Sequence, residues 1–272
     1  MRKSLLALSV LALSSTSAFA ADYSDGDTHK NDYKWLQFNA MYSFGEIPTS
    51  EGATKEDHDY LEMEFGGRSG IWDLYGYVDV FNLSQDSGQK KANGVDSNEK
   101  MFMKFAPRMS LDGLTGKDLS FGPVQELYIA TLMNWSGNDV VNNANIGLGS
   151  DVMVPWLGKV GLNLMAHYEI GRSEWDGFHA STNWFKPFFF FENGSFISYQ
   201  GYIDWQFGMD SAEGKSADGG NMFNGIYWHS DRFAVGYGLK AYKNVYGLKD
   251  ESAWPGADTT GFSHYVSATY KF

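Results

Sequence analysis

Cysteine is absent from the 272-residue chain, which removes disulfide staples and thiolate metal sites from consideration. Long apolar runs are missing too. No stretch of about 18 apolar residues follows the N-terminus, so the sequence offers no membrane-spanning helix. Positive charge is short, with 21 Lys and Arg against 33 Asp and Glu and a formal net charge of −12. That balance excludes nucleic acid as a partner, because phosphates demand Lys and Arg. Proline is scarce at 6 residues. Neither a G-x-S-x-G nucleophile elbow nor an H-E-x-x-H metal site occurs.

What is abundant points to strands and a membrane. Aromatics make up 17% of the chain, and glycine contributes 31 residues, a composition that suits aromatic girdles and close strand crossings. Residues 1–20 read as a signal peptide: Arg2 and Lys3, an apolar core from Leu5 to Leu13, then Ala18-Phe19-Ala20 as the small-x-small cleavage pattern. Its removal takes the net charge from −12 to −14, since two cations leave and no acid does. Residues 21–272, without a break in composition, are expected to form one domain.

Alternation is clearest at the C-terminus. Phe262, His264, Val266, Ala268, Tyr270 and Phe272 fall on one face, and Ser263, Tyr265, Ser267, Thr269 and Lys271 on the other. A period of two over a length that crosses a bilayer when tilted, roughly 9–11 residues, describes a wall strand of an outer-membrane barrel. Twelve such segments are expected, at 34–44, 59–67, 71–82, 100–111, 122–135, 144–153, 159–170, 177–186, 195–207, 221–229, 232–243 and 262–272. The predicted fold is an all-β transmembrane antiparallel up-and-down barrel of 12 strands. With both ends periplasmic, the connections 45–58, 83–99, 136–143, 171–176, 208–220 and 244–261 face outward, and they are mostly longer than the inward ones. Pro107 inside the fourth segment is expected to mark a bulge. Phe188 to Phe191, after Pro187, are expected to anchor a turn at the membrane interface.

Parity sends Glu62, Glu64, Asp73, Tyr75, Tyr77, Asp79, Lys104, Arg108, Glu126, Tyr128, Asp151, His167, Glu169, Tyr202, Asp204, Lys240 and Lys271 into the lumen. Eight carboxylates against four cations predict an acidic passage that repels nucleotides. Tyrosine faces beside carboxylates suit an uncharged nucleoside: the base stacks, at about 1–3 kcal/mol per base in single-strand binders, and ribose hydroxyls donate to Asp or Glu. Glu62, Glu64, Lys104 and Arg108 also read as a charge network holding the wall; Tyr75, Tyr77 and Asp79 fit either role. Trp35, Trp72, Trp184, Trp205 and Trp228 read as girdle or wall residues. Two other classes compete. A lipid hydrolase would place a Ser/His site on the lipid face, where parity puts His264. A structural or receptor barrel would have a narrow or blocked lumen beneath its long acidic loops.

Several stretches carry a family resemblance: Tyr60-Leu-Glu-Met-Glu64, Trp72-Asp-Leu-Tyr-Gly-Tyr-Val-Asp79, Pro107-Arg-Met-Ser-Leu-Asp112, Asp118-Leu-Ser-Phe-Gly-Pro123, Glu174-Trp-Asp-Gly177 and the terminal strand. They resemble the Tsx family of outer-membrane nucleoside channels, in its OmpK-type branch. The resemblance implies a monomeric twelve-stranded barrel in the bacterial outer membrane, among lipid and lipopolysaccharide. Its narrow lumen would pass nucleosides, deoxynucleosides or similar small polar solutes without a cofactor, and its loops would be open to phages as receptors. Ser43-Phe44-Gly45 is similar to an Arg-Phe-Gly stretch of these channels, with Ser43 in place of the Arg. The expected lumen site is therefore Phe44, Tyr75, Tyr77, Asp79, Lys104, Arg108, Glu126, Tyr128 and Asp204. Phe44 lies on the lipid-facing parity of its strand and reaches the lumen only if the strand ends or bulges there.

Overall fold

Strand-forming alternation becomes a closed wall in the computed structural model, which describes residues 23, 25–49, 57–84, 101–136 and 141–272. The proposed signal peptide lies outside the described residues. The strands are β1 (Tyr33–Phe44), β2 (His58–Ser69), β3 (Trp72–Phe81), β4 (Met101–Phe105), β5 (Arg108–Ser110), β6 (Val124–Ser136), β7 (Asn142–Val154), β8 (Gly158–Glu169), β9 (Glu174–Phe190), β10 (Phe196–Phe207), β11 (Asp218–His229), β12 (Phe233–Lys243) and β13 (Gly261–Lys271). Every neighbour is antiparallel, and β1 pairs with β13 through Ala40↔Ala268, so the last strand meets the first. Both β4 and β5 lie between β3 and β6. They are two halves of one wall strand, and the barrel has twelve.

Pro107 interrupts that strand without bulging it. Tyr77↔Lys104 and Asp73↔Arg108 keep one register against β3, as do Lys104↔Asn134 and Arg108↔Ala130 against β6. The missing proline N–H costs one ladder bond, while the Pro107 carbonyl still accepts from the N–H of Thr131 at 3.1 Å. Register shifts occur elsewhere, between Val124 and Glu126, between Ala166 and Tyr168, and beside Pro187. Between Ile197 and Ser198 the register of β9 against β10 shifts, and Phe188 is the extra residue. Pro187 and Phe188 to Phe190 thus extend β9 instead of forming a turn, and only Phe191 lies in the connection.

The faces are those of a protein in lipid. Leu148 (67% exposed), Leu164 (55%) and Phe262 (65%) point outward, whereas Asn39, Asn145, Asp151 and His167 are buried inside. No described helix is long and apolar enough to cross a membrane. One short helix, α1 (Leu111–Thr115), follows β5: the Ser110 hydroxyl caps it by accepting from the N–H of Gly113 at 3.0 Å, and left-handed Gly116 ends it. It sits in a connection that the alternation read as plain turn.

Candidate functional site

Inward parity turns the lumen wall into an array of polar and aromatic side chains around a cavity of about 2790 Å³. The lining reaches from Ser230 and Arg232, in one end's turns, to Tyr246 and Trp254 in the loops at the other. It is organised in two zones.

The zone beside the short turns is a charge lattice. Arg68 of β2 pairs with Glu126 of β6, donating at 2.8 Å to Oε2 and in a second, shorter contact to Oε1. The Tyr128 hydroxyl donates to Glu126 at 2.8 Å. Arg108 joins Asp73 and Asp151, the latter at 2.9 Å, and lies over the Tyr128 ring at 4.1 Å. Lys159 adds a contact to Asp151 at 3.1 Å. Fully desolvated charges persist only where each is matched in this way. Glu126 and Tyr128 are therefore held by each other and by Arg68, and Arg108 by Asp73, Asp151 and the Tyr128 ring, with only its Nη1 left without a partner among the described residues. Glu126 and Tyr128 are buried beneath the cavity surface (3% and 0% exposed). Arg68 escaped the sequence reading because that strand was expected to stop at residue 67.

Nearer the long loops is a belt of aromatic rings and unequal charges. Tyr77 lies 6.2 Å from Tyr75 and 6.0 Å from Phe102. Tyr202 stacks on Phe223 at 5.8 Å. Lys104 donates to Asp204 at 2.8 Å between these two groups, 5.9 Å from the Tyr77 centroid and 5.6 Å from that of Tyr202. His179 holds the other Asp204 oxygen at 3.2 Å. Across the register from Glu62 stands Asp79, whose Oδ1 has no hydrogen-bond partner among the described residues. Lys240 lies over Tyr242 at 5.0 Å and Tyr265 at 5.8 Å.

The loops close in on this belt. Glu46 lines the cavity and meets His58 at 2.5 Å. Burial alone would raise the Glu46 carboxyl; the His58 ring outweighs it, helped by Lys240, and holds the group down at about 2. Ile47 packs with Tyr242 and Val245, pinning two loops together.

Of the expected site residues, Tyr77, Asp79, Lys104 and Asp204 share the belt. Tyr75 stands beside it and donates to Glu64 at 2.9 Å. Phe44 is the correction. It stays in register opposite His264 in β13, 40% exposed on the outer face, 4.8 Å from the Tyr42 ring. No bulge turns it inward. Trp35 moves the other way: it faces the lumen, its ring lying over Gly66 and 6.3 Å from Tyr75. Its parity, shared with Gln37 and Asn39, was sufficient to place it. His264 is on the outer face, bonded to the Tyr237 hydroxyl at 2.5 Å.

Charge balance is a second correction. Among the described residues the cavity lining carries eleven carboxylates and ten Lys or Arg, so the passage is nearly neutral. Lys34, Lys159, Arg172, Lys186, Lys215 and Arg232, all absent from the parity list, supply the difference.

Comparison with known proteins is consistent with this geometry. The family described as nucleoside-specific channel-forming protein, Tsx, matches residues 30–272. The outer membrane protein OmpK of Vibrio parahaemolyticus is 68% identical over the whole of both chains. The nucleoside-specific channel-forming protein Tsx of Klebsiella pneumoniae is 32% identical over 77% of this chain and 74% of its own. Among solved structures the NanC porin superposes with a TM-score of 0.50 over 86% of this chain and 98% of its own, at 6% identity, a likeness of fold alone.

Proposed function

From the premise that this chain belongs to the Tsx family of outer-membrane channels, we propose that its lumen is a passive diffusion path for nucleosides and deoxynucleosides, working as a monomer. The observation that carries this is the belt. Tyr77 and Tyr202 offer ring faces on opposite walls, and the Asp79 carboxylate, which lines the cavity although its Oδ1 is buried, can accept from a ribose hydroxyl once its side chain turns toward the solute. Stacking is tolerant of base identity, so purine and pyrimidine nucleosides both fit. Conduction needs sites that release as readily as they bind, and a shallow belt of rings meets that need better than a closed pocket.

Exclusion of nucleotides does not follow from overall lumen charge, which is balanced. It follows locally: Glu62, Glu64 and Asp79 stand together on the β2–β3 wall, where a phosphate group meets like charge.

Single-channel current in planar bilayers tests the reading. Adenosine and thymidine should each block the current, and Tyr77→Ala and Asp79→Ala should weaken the block by about tenfold, the equivalent of one lost stacking or charge-assisted contact. Unblocked current in the wild-type channel would remove nucleosides as the cargo.

A further inference from the structure

Most polar contacts inside the barrel join strands one to three positions apart. Arg68 to Glu126 spans β2 to β6, Arg108 to Asp151 spans β5 to β7, and Gln206 to His167 spans β10 to β8. The Lys104–Asp204 pair is different. It joins β4 to β10, five positions apart one way round the twelve and seven the other, so it runs nearly across the lumen. The two residues lie at matching depth, Lys104 three residues in from Met101 and Asp204 three short of Phe207. Both side chains line the cavity, yet each is only 14% exposed.

The surroundings keep this contact in place. His179 fixes the second Asp204 oxygen at 3.2 Å, Tyr77 and Tyr202 flank the ammonium, and Phe223 backs Tyr202. An unpaired charge here would lie among aromatic rings with poor hydration, so the pair stays shut unless a solute supplies substitutes.

We propose that Lys104 and Asp204 form a removable crossbar in the channel, and that the pore selects solutes able to replace it. Such a solute presents an acceptor to the Lys104 ammonium and a donor to the Asp204 carboxylate while lying against the Tyr77 and Tyr202 rings. A base carbonyl or ring nitrogen together with a ribose hydroxyl meets that requirement. A compact solute with hydroxyls but no flat acceptor-bearing ring meets it poorly. This extends the nucleoside reading, but the crossbar itself requires only that ions flow through the lumen.

The test therefore reads salt conductance first, with no nucleoside present. Lys104→Met keeps the length of the side chain and removes its charge; its single-channel conductance in KCl should rise by about twofold as the crossing opens. The double variant Lys104→Cys/Asp204→Cys should show the same rise, and its thiols are the only ones in a chain without cysteine. A short bis-methanethiosulfonate crosslinker, which joins the two thiols through disulfides with loss of methanesulfinate, should return that conductance to the wild-type level, and reductant should cleave the disulfides and restore the rise. Because the changes occur within one conducting channel, misfolding cannot imitate them. In proteoliposome swelling, Lys104→Met should admit a hexose faster while thymidine gains less, so the thymidine-to-hexose ratio falls. Conductance unchanged in Lys104→Met, or unmoved by the crosslinker, would overturn the crossbar. A wild-type channel indifferent to nucleosides whose conductance still responds to the crosslinker would sink the cargo and leave the crossbar standing.

Discussion

Glu46 is half-buried at the inner edge of a loop, where burial pushes a lone carboxylate toward its protonated form. His58 and Lys240 reverse that tendency and keep it ionised down to about 2. Since its pKa is depressed relative to an ordinary carboxylate, its contribution is complete above about pH 4.5 and is lost as the pH falls toward 2, in total roughly 3 kcal/mol. The amide of Thr49, which donates to the Asp258 carbonyl at 3.1 Å, reports on the same loop. Its hydrogen-exchange protection should hold at pH 5 and decline between pH 4.5 and 2, and Glu46→Gln should lose it already at neutral pH. At this scale the sequence was half legible. Parity placed Tyr77, Asp79, Lys104 and Asp204 inward because a two-residue period leaves no freedom of face. It could not show that Glu126 is taken up by Arg68, a residue three strands away around the barrel, or Arg108 by Asp151 two strands away. Arg68 was hidden by a boundary drawn one residue short, and Phe44 by a motif that pointed against its parity.

Strand β12 shows what an element contributes. Gly236 and Gly238 face the lumen, and a Cβ at either would collide with the Tyr227 or Phe223 ring of β11. The glycines let those rings lie flat on the neighbouring strand, and Phe223 in turn carries Tyr202. Gly238→Ala should push Phe223 off the wall, at a cost of about 1–3 kcal/mol from overpacking; thermal unfolding in detergent should move down, and nucleoside block should weaken with it. Gly66→Ala makes a parallel case on β2, where the added Cβ would meet the Trp35 ring at 2.6 Å; quenching of tryptophan fluorescence by a soluble quencher added to the lumen should increase. Strand β9 starts three residues earlier and ends four later than expected, and β11 starts three earlier. Most strand ends could be read from alternation to within about two residues. Interruptions could not: a proline predicts a lost N–H, but whether the register shifts depends on the partners. Pro107 is held between β3 and β6 without a shift, while a bulge falls at Phe188 beside Pro187. Helix α1 is too short for its period to appear in the sequence.

For the whole molecule, an acidic chain encloses a nearly neutral passage. The net charge of −14 expected after cleavage lies almost wholly outside the lining, whose eleven carboxylates face ten Lys or Arg. A tenfold KCl gradient should therefore give a reversal potential close to zero; a strongly cation-selective value would mean that the rim lysines and arginines lie outside the conducting path. Closure was visible in the even number of segments and the long and short connections, because lipid tolerates no free edge. The contents of the lumen were less visible, since side chains from opposite walls meet only once the barrel is closed. The most direct measurement of the central claim is the entry of labelled thymidine into proteoliposomes holding the purified channel, beside a labelled hexose in the same vesicles. Thymidine should enter several-fold faster than the hexose, with excess adenosine slowing it; equal rates for both solutes, or no entry of thymidine above protein-free vesicles, would rule out a nucleoside-selective path.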